Sequence, residues 1–151
     1  MKTNSRSEIF SKSEQERIKA KYNTISRKKA KYPKVKFKNK GDFLKWYIKQ
    51  WKKQNGTCFY CKCKENDIRL LFDNKIIETK RKRGRAFEVE RLSPNGNYEY
   101  DNCALACYFC NNDKSDIISS RDYSKFFSKS RQAYIKELLR RMKNGCRKKA
   151  K

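Results

Sequence analysis

The sequence predicts an α+β fold that is mostly helical, with a small strand-turn-strand unit beside paired cysteines. Three patterns support this prediction. Several segments place apolar residues at helical intervals. AFEVERL alternates apolar and polar residues, SPNGN supplies turn residues, and CALAC is short and apolar. Two Cys-x-x-Cys pairs bracket this stretch. Few strands among several helices are typical of an α+β domain.

The composition indicates a small core and a polyanionic partner. The chain has 151 residues, with 41 Lys and Arg against 16 Asp and Glu, a net charge of +25 and 36% hydrophobic residues. One domain with basic arms accounts for this length. So low an apolar share predicts that the core needs a further staple. The excess positive charge favours nucleic acid as the partner, and no run approaches the roughly 20 apolar residues of a membrane-spanning helix.

The N-terminus and the cysteines bear on the cellular compartment. MKTNSRSEIFSKSEQE lacks the apolar core of a signal peptide, so we expect an intracellular protein. Thiols stay reduced inside a cell, so the seven cysteines are interpreted as metal ligands and free thiols rather than as disulfides. The chain contains no histidine, which limits the choice of metal ligands and of proton acceptors.

The charge and motif patterns divide the chain into three segments. These are a basic N-terminal arm with a helix, a cysteine-stapled core, and basic C-terminal helices with a tail: residues 1–40, 41–120 and 121–151. In the arm, Ser13 and Glu16 have the spacing of a capping box and predict a helix that runs to about Ala30. In the C-terminal segment, helical spacing predicts two helices, over Arg121–Phe127 and Arg131–Lys143.

The core contains three further predicted elements besides the two strands. GDFLKWYIKQWKKQNG predicts a helix that is capped by Asp42 and ended by Gly56, with one apolar face. IRLLFDNKIIETK predicts a weak hairpin because it is rich in strand-forming residues. A short helix is expected from about Asn111, directly after the second cysteine pair.

The cysteine pairs predict a structural zinc site. Their spacing lets two thiolates of each pair point at one ion, and two pairs complete a tetrahedral site of four thiolates; the ligands would be Cys58, Cys61, Cys107 and Cys110. A redox role is the alternative, but it needs a single pair in a βαβ setting. Cys63 lies close enough to replace Cys61. Cys103 and Cys146 have no such partners and are interpreted as buried or free thiols.

The order of these elements resembles the HNH (ββα-metal) nucleases. That family has an acid and then a histidine at the end of the first strand, an asparagine in the connecting loop, and a metal ligand at the start of the helix in C-x-x-C-N-x-x-K. CYFCNNDK matches this last motif, and EVERLSPNGNYEYDNCALAC matches the preceding strands. The match, over about Gly41 to Ser120, is closest to small dimeric restriction endonucleases and phage relatives in which arginine follows the acid.

The resemblance implies a ββα-metal site for phosphodiester hydrolysis. Glu90 and Asn111 would supply oxygen ligands to a catalytic divalent ion, Mg²⁺ or a similar ion, since hard cations prefer oxygen donors. Arg91 stands where the histidine base is usual; it stays protonated and would neutralise a phosphate. Asn102 would tie the connecting loop. Glu90 replaces the usual aspartate, and its extra methylene group displaces the ion unless the strand retreats.

The group that activates water is left open between the metal ion itself and several side chains. A tyrosine would need a pKa well below its usual value of about 10. Tyr60, Tyr98 and Tyr100 are the tyrosine candidates, and the resemblance favours Tyr60 because it carries this residue over within the first cysteine pair. Glu88 is a further candidate, since it lies two residues from Glu90 on the same face of an undistorted strand.

The expected partner is double-stranded DNA, and the resemblance implies a homodimer that cuts both strands. Contacts with phosphate would come from the loop KRKRGR and from the helix after the second cysteine pair: Lys80, Arg81, Lys82, Arg83, Arg85 and Lys114. The family also implies a bacterial or phage-encoded origin. Two alternatives remain at this point: a zinc-stapled DNA-binding module without catalysis, and a phage or homing-type nicking endonuclease.

Overall fold

The computed structural model describes residues 9–26, 34–79 and 83–149, except for the side chains after residue 145. Six helices and one two-stranded sheet are formed in this part of the chain. In chain order they are α1 (Lys12–Ser26), α2 (Lys40–Lys53), α3 (Glu65–Asp73), β1 (Glu88–Arg91), β2 (Cys103–Ala106), α4 (Tyr108–Lys114), α5 (Ser120–Phe126) and α6 (Ser128–Lys149). The predicted fold class, mostly helical with a small sheet, is confirmed.

Helices α1 and α2 begin at caps that lie slightly before the residues that the sequence patterns suggested. At α1, Ser11 rather than Ser13 makes the capping box, because Ser11 N donates to Glu14 Oε2 at 2.9 Å and Glu14 N donates to Ser11 Oγ at 3.3 Å. At α2, Asn39 accepts from Asp42 N at 3.0 Å. Asp42 therefore acts inside the first turn, where its carboxylate also accepts from Lys38 N.

Helix α3 replaces the hairpin that was predicted over IRLLFDNKIIETK. Ile68, Leu71 and Phe72 are buried on one face at helical spacing. Glu65 and Asp67 lie in its first turn, where negative charge favours a helix. The prediction was wrong because a short apolar run fits a strand and a buried helix equally well.

The sheet pairs β1 and β2 antiparallel, with Glu90 opposite Ala104 and Arg91 opposite Cys103. Every residue of both strands is buried. Helix α4 follows β2 directly and starts three residues before the predicted Asn111, because the Sγ atom of Cys107 accepts from Cys110 N and caps it. Strand, turn, strand and helix thus form one continuous ββα unit.

A single apolar core runs through all three predicted segments. It includes Phe10 and Ile18 from the N-terminal arm, Phe43 and Tyr47 from α2, and Ile135 from α6. The Tyr47 hydroxyl donates to Phe87 O at 2.9 Å and joins α2 to the approach of β1. None of the helices in the described part of the chain has the length and apolar character needed to cross a bilayer.

Candidate functional site

Four cysteine sulfur atoms meet in the interior, at the junction of the first cysteine loop with β2 and α4. All four residues are buried, and their Sγ atoms lie within 4.8 Å of one another: Cys58, Cys61, Cys107 and Cys110. The Sγ atoms of Cys61 and Cys107 are 3.8 Å apart. A tetrahedral ion with zinc–sulfur bonds of about 2.3 Å places its ligands about 3.8 Å apart. The cluster therefore fits one Zn²⁺.

Backbone amides and neighbouring thiols prepare these sulfurs to bind a cation. Cys107 N donates to Cys58 Sγ at 3.2 Å, and Cys110 N donates to Cys107 Sγ at 3.5 Å. Hydrogen bonds within the cluster lower the pKa of Cys61 and raise the pKa of Cys107, so the first thiolate forms more readily at Cys61 than at Cys107. Cys63 is buried nearby but lies outside the cluster, so Cys61 is the ligand that the geometry selects.

A cleft of about 1410 Å³ includes in its lining Asn111, the residue that follows Cys110. Its walls come from α1, from α3 and the segment that follows it, and from the ββα unit. Glu90 and Arg91 on β1 and Asn111 on α4 all line this one cleft. Three of the residues that the sequence assigned to catalysis therefore line the same cleft. This holds although Glu90 and Arg91 are neighbours on a strand, where successive side chains point to opposite faces.

Glu90 is buried, with 4% of its surface exposed, and its carboxylate is paired with Lys114. The Lys114 Nζ atom lies 2.7 Å from Glu90 Oε1. Burial raises the pKa of the Glu90 carboxyl to about 7, while the hydrogen bond and charge of Lys114 act in the opposite direction. A carboxylate offers about four lone-pair sites, so the contact with Lys114 leaves Glu90 able to bind an ion.

Lys114 occupies a different place from the one predicted for it. Its side chain is completely buried, and its ammonium also donates to Arg91 O at 3.0 Å. The sequence prediction that Lys114 contacts DNA is therefore wrong for this arrangement. Lys114 lies one helical turn after Asn111 on α4, and it contacts Glu90 and Arg91 on β1. It therefore connects α4 to β1 beside the two oxygen donors, Glu90 and Asn111.

Arg91 and Asn102 both organise the loop between the strands. The Arg91 guanidinium donates to Pro94 O at 2.7 Å and to Gly96 O at 3.0 Å, and it pairs with Asp116. Asn102 accepts from Ser93 N at 2.9 Å and donates to backbone carbonyls of the same loop. Arg91 has five N–H donors, so these three bonds leave donors for a further anion.

The three candidate tyrosines do not have the lowered pKa that a proton acceptor needs. Burial raises the pKa of Tyr60 far above its usual range, and the charge of Glu90 adds to the effect. Burial also raises the pKa of Tyr98, over whose ring Arg91 lies. Tyr100 donates its hydroxyl to Asp42, and this hydrogen bond raises its pKa. Activation of water by a tyrosinate is therefore disfavoured at all three positions.

One observation nevertheless indicates a polar ligand beside Glu90. The Tyr60 hydroxyl is buried and has no hydrogen-bond partner among the described residues, and Glu90 is close enough for its charge to act on it. Buried polar groups without partners are costly and rare, and water or an ion is the usual explanation. Glu90 and Asn111 supply the oxygen donors that hard divalent ions prefer. The residues present therefore fit a hydrated divalent ion.

Several cationic residues reach the same cleft. Arg83 lies over the Tyr108 ring and 3.5 Å from Glu88, while Arg85 lies 2.9 Å from Asp73. Both line the cleft. The other residues of the predicted basic loop, Lys80, Arg81 and Lys82, lie outside the described residues.

Sequence reasoning missed Lys21 and Asp116. Lys21 on α1 donates to Glu88 at 3.1 Å, although the two residues are 67 positions apart in the chain. No local sequence pattern predicts a contact over that separation. Asp116 pairs with Arg91 across the loop. Glu88 is thereby held between Lys21 and Arg83. Because Glu88 is paired with two cations, it holds their side chains in the cleft and is not free to act as a base.

Comparisons with known proteins agree with this architecture. No model of a known protein family matches the chain. A curated protein of Bacillus subtilis strain 168, named as an SPbeta prophage-derived HNH endonuclease, is 34% identical over an alignment of 101 residues, and the match covers 62% of this chain and 41% of that protein. The chain thus matches less than half the length of this relative.

A solved structure extends the similarity to the fold. The rare-cutting HNH restriction endonuclease PacI superimposes with a TM-score of 0.59 and 22% identity, and the match covers 76% of each chain. PacI is the kind of small restriction endonuclease that the sequence motifs resemble. Sequence similarity to one HNH protein, the fold of another and the observed ββα unit with its cysteine cluster agree, and all three support the resemblance of this chain to the HNH (ββα-metal) proteins.

Proposed function

We propose that this protein is a metal-dependent endonuclease that hydrolyses phosphodiester bonds in double-stranded DNA. One observation carries the proposal: a carboxylate on β1 and an amide on α4, Glu90 and Asn111, line a single cleft that also presents arginines. The curated relative and PacI are both named as HNH endonucleases, which supports this reaction class. The net charge of +25 favours a polyanionic substrate.

The chemistry divides between a divalent ion and the side chains of the chain. A bound Mg²⁺ or similar ion would polarise the phosphate and lower the pKa of a bound water. Glu90 and Asn111 would hold it. Arg91 would use its remaining donors to neutralise the scissile phosphate, because it stays protonated and donates in a planar fork. Tyr60 would donate its unpaired hydroxyl to a water molecule and so orient it.

The four-cysteine cluster would hold a structural Zn²⁺ that fixes β2 and α4 in place. Four thiolates close the coordination shell of a structural zinc and leave no open position for substrate. The catalytic ion is therefore assigned to the oxygen donors and the structural ion to sulfur. Asn102 would act indirectly, because its side chain fixes the loop that Arg91 also contacts.

We further propose site-specific, restriction-type cleavage by a homodimer. A two-fold symmetric enzyme places one active site on each strand of a palindromic site. Similarity to the restriction endonuclease PacI supports restriction-type cleavage, and the resemblance of the motifs to small dimeric restriction endonucleases supports the homodimer. Solution mass from light scattering tests the dimer, and the symmetry of the cut ends separates paired cleavage from the single-strand cuts of a nicking monomer.

Cleavage of mixed plasmid DNA tests the central proposal. The protein is incubated with Mg²⁺ or with EDTA, alongside Glu90→Ala and Asn111→Ala. We expect discrete fragments that require Mg²⁺ and are lost in both variants. Asn74→Ala is the matched control, because its exposed side chain bonds Leu70 O at the end of α3 and does not line the cleft, and it should retain cleavage. Cleavage that survives both Glu90→Ala and Asn111→Ala contradicts the assigned ligands.

A DNA-binding module without catalysis is the second candidate function. The specific observation that favours it is that Glu90 is already paired with Lys114 in a chain that contains no histidine. In that case DNA binding would be tight and sensitive to salt, and it would be unchanged by Glu90→Ala. No cleavage would be observed with Mg²⁺, Mn²⁺ or Co²⁺.

A further inference from the structure

The carboxylates that β1 and the segment after α4 contribute to the cleft are all paired with cations. Glu90 pairs with Lys114, Asp116 pairs with Arg91, and Glu88 contacts both Lys21 and Arg83. Three carboxylates therefore face four cations, which leaves a net charge of +1 when Glu90 is ionised. A divalent cation that enters this site meets no uncompensated negative charge from these side chains.

The remainder of the cleft does not supply the missing charge. Among the described residues that line it there are six acids against seven Lys and Arg. Glu14 pairs with Arg69, and Asp73 pairs with Arg85. Sites that bind divalent ions tightly increase their affinity through the number of charged ligands. Glu90 and Asn111 contribute one carboxylate and one neutral amide.

Lys114 is the cation that offsets the negative charge of Glu90, the charged ligand of the proposed ion. Its ammonium has three donors, and three acceptors surround it: Glu90 Oε1 at 2.7 Å, Arg91 O at 3.0 Å and Ser115 O at 3.4 Å. Its side chain has no exposed surface. A buried cation with every donor engaged is fixed in place, so it both orients the Glu90 carboxylate and keeps a positive charge beside it.

We propose that Lys114 is a positioning residue that couples metal binding to DNA binding: it holds Glu90 toward the cleft while cancelling its charge, so a divalent ion is held tightly only when a DNA phosphate is present. The inference rests on the function proposed above. The phosphate supplies the negative charge that the protein withholds, and the coupling is reciprocal, so the ion strengthens DNA binding by the same factor. Without DNA, the site remains largely free of the ion that it needs for hydrolysis.

The first test measures ion binding without DNA. The free Mn²⁺ signal in electron paramagnetic resonance gives the affinity of the zinc-loaded full chain for Mn²⁺ above pH 7. Lys114→Gln keeps a hydrogen-bond donor but removes the charge, and we expect it to bind Mn²⁺ about tenfold more tightly than the unaltered protein. Lys114→Arg keeps the charge and should bind as weakly as the unaltered protein. Equal affinities in the unaltered protein and Lys114→Gln would overturn the proposal.

The second test measures the coupling itself. Fluorescence anisotropy gives the affinity for a labelled mixed-sequence duplex with and without Ca²⁺ at matched ionic strength. We expect Ca²⁺ to tighten binding by about tenfold relative to its effect on Glu90→Gln, within the usual range of about 5–150-fold for coupled sites. Lys114→Gln should show a smaller increase. The same response to Ca²⁺ in Glu90→Gln and the unaltered protein would exclude the coupling.

Asp116→Asn keeps the test decisive if Lys114→Gln does not fold. Asp116 is exposed, and its loss adds one net positive charge beside Arg91. Mn²⁺ should then bind severalfold more weakly without DNA, and Ca²⁺ should tighten DNA binding by a larger factor; unchanged values would count against the proposal. Plasmid cleavage separates the two levels of inference: Mg²⁺-dependent cleavage without coupling overturns only the role of Lys114, whereas absence of cleavage overturns the proposed function.

Discussion

At the scale of single residues, the site is defined by how polar groups are satisfied. Glu90 and Lys114 are both buried and satisfy each other, whereas the Tyr60 hydroxyl beside them has no partner among the described residues. A buried unpaired hydroxyl costs folding free energy of about 1–3 kcal/mol. An ordered water or a bound ion usually completes such a group. The effect of the Tyr60 hydroxyl on the free energy of unfolding and its effect on cleavage can therefore be measured independently.

Tyr60→Phe tests that separation. Removing the unpaired hydroxyl should leave the free energy of unfolding unchanged or raise it by about 1 kcal/mol, because no hydrogen bond is lost. Cleavage should fall by about 10-fold to 100-fold, since an orienting hydrogen bond to the reacting groups is lost. Urea unfolding and plasmid cleavage give the two values.

Tyr134→Phe is the matched control, because Tyr134 is 44% exposed on α6 and its ring packs against Phe109 and Arg131 rather than near Glu90. This variant should leave both unfolding and cleavage unchanged. Full activity in Tyr60→Phe would show that the unpaired hydroxyl has no part in the reaction.

At the scale of secondary-structure elements, the cysteine cluster connects parts of the chain that are distant in sequence. It joins the loop after α2 to the end of β2 and to α4, whose first turn contains Cys110. Helix α4 spans only seven residues, too few for a helix that is stable alone. Metal binding would therefore fix the helix that carries Asn111 and Lys114.

Cys110→Ser should release the structural ion and destabilise the fold. We expect zinc content to fall from about one per chain to well below one, with a loss of several kcal/mol in unfolding free energy, because zinc binding contributes directly to folding. Elemental analysis and thermal unfolding provide the measurements.

Cys63→Ser is the matched control for this change, since Cys63 is buried in the same loop but lies outside the cluster. It should retain its zinc. Loss of zinc from Cys63→Ser but not from Cys110→Ser would reverse the ligand assignment.

At the scale of the whole molecule, the excess of positive charge would govern how the proposed DNA substrate approaches the cleft. The net charge is +25. Helix α1 contributes Lys21 to one wall of the cleft, and the segment after α3 contributes Arg83 and Arg85 to another. Neutralising phosphates with Lys and Arg releases counterions, so DNA affinity should fall steeply with salt.

Arg83→Gln should lower the magnitude of the salt slope of DNA binding by about 1, as one phosphate contact is lost. Arg140→Gln, an exposed position on α6 that pairs with Glu137, should leave the slope unchanged. Anisotropy titrations at several salt concentrations measure both slopes. Equal slopes for the two variants would show that Arg83 is not at the interface.

Several features of the fold followed from local patterns alone. The cysteine pairs, the alternation of AFEVERL and the apolar stripe of α2 predicted the cluster, β1 and a helix in their observed places. Helix α3 did not follow, because a short apolar run is compatible with a strand or a helix until packing decides. The caps at Ser11 and Asn39 were displaced from the predicted residues because several polar residues compete for one N-terminus.

The sequence by itself determined the chemistry available: four thiolates with metal-binding spacing, one acid and one amide in the order of a ββα unit, and a large excess of positive charge. Only the tertiary structure decided how those groups are used. It buried Lys114 against Glu90, left the Tyr60 hydroxyl buried without a partner among the described residues, and brought Lys21 to Glu88. Composition and spacing are local properties of a chain, whereas burial and charge pairing depend on which distant segments pack together.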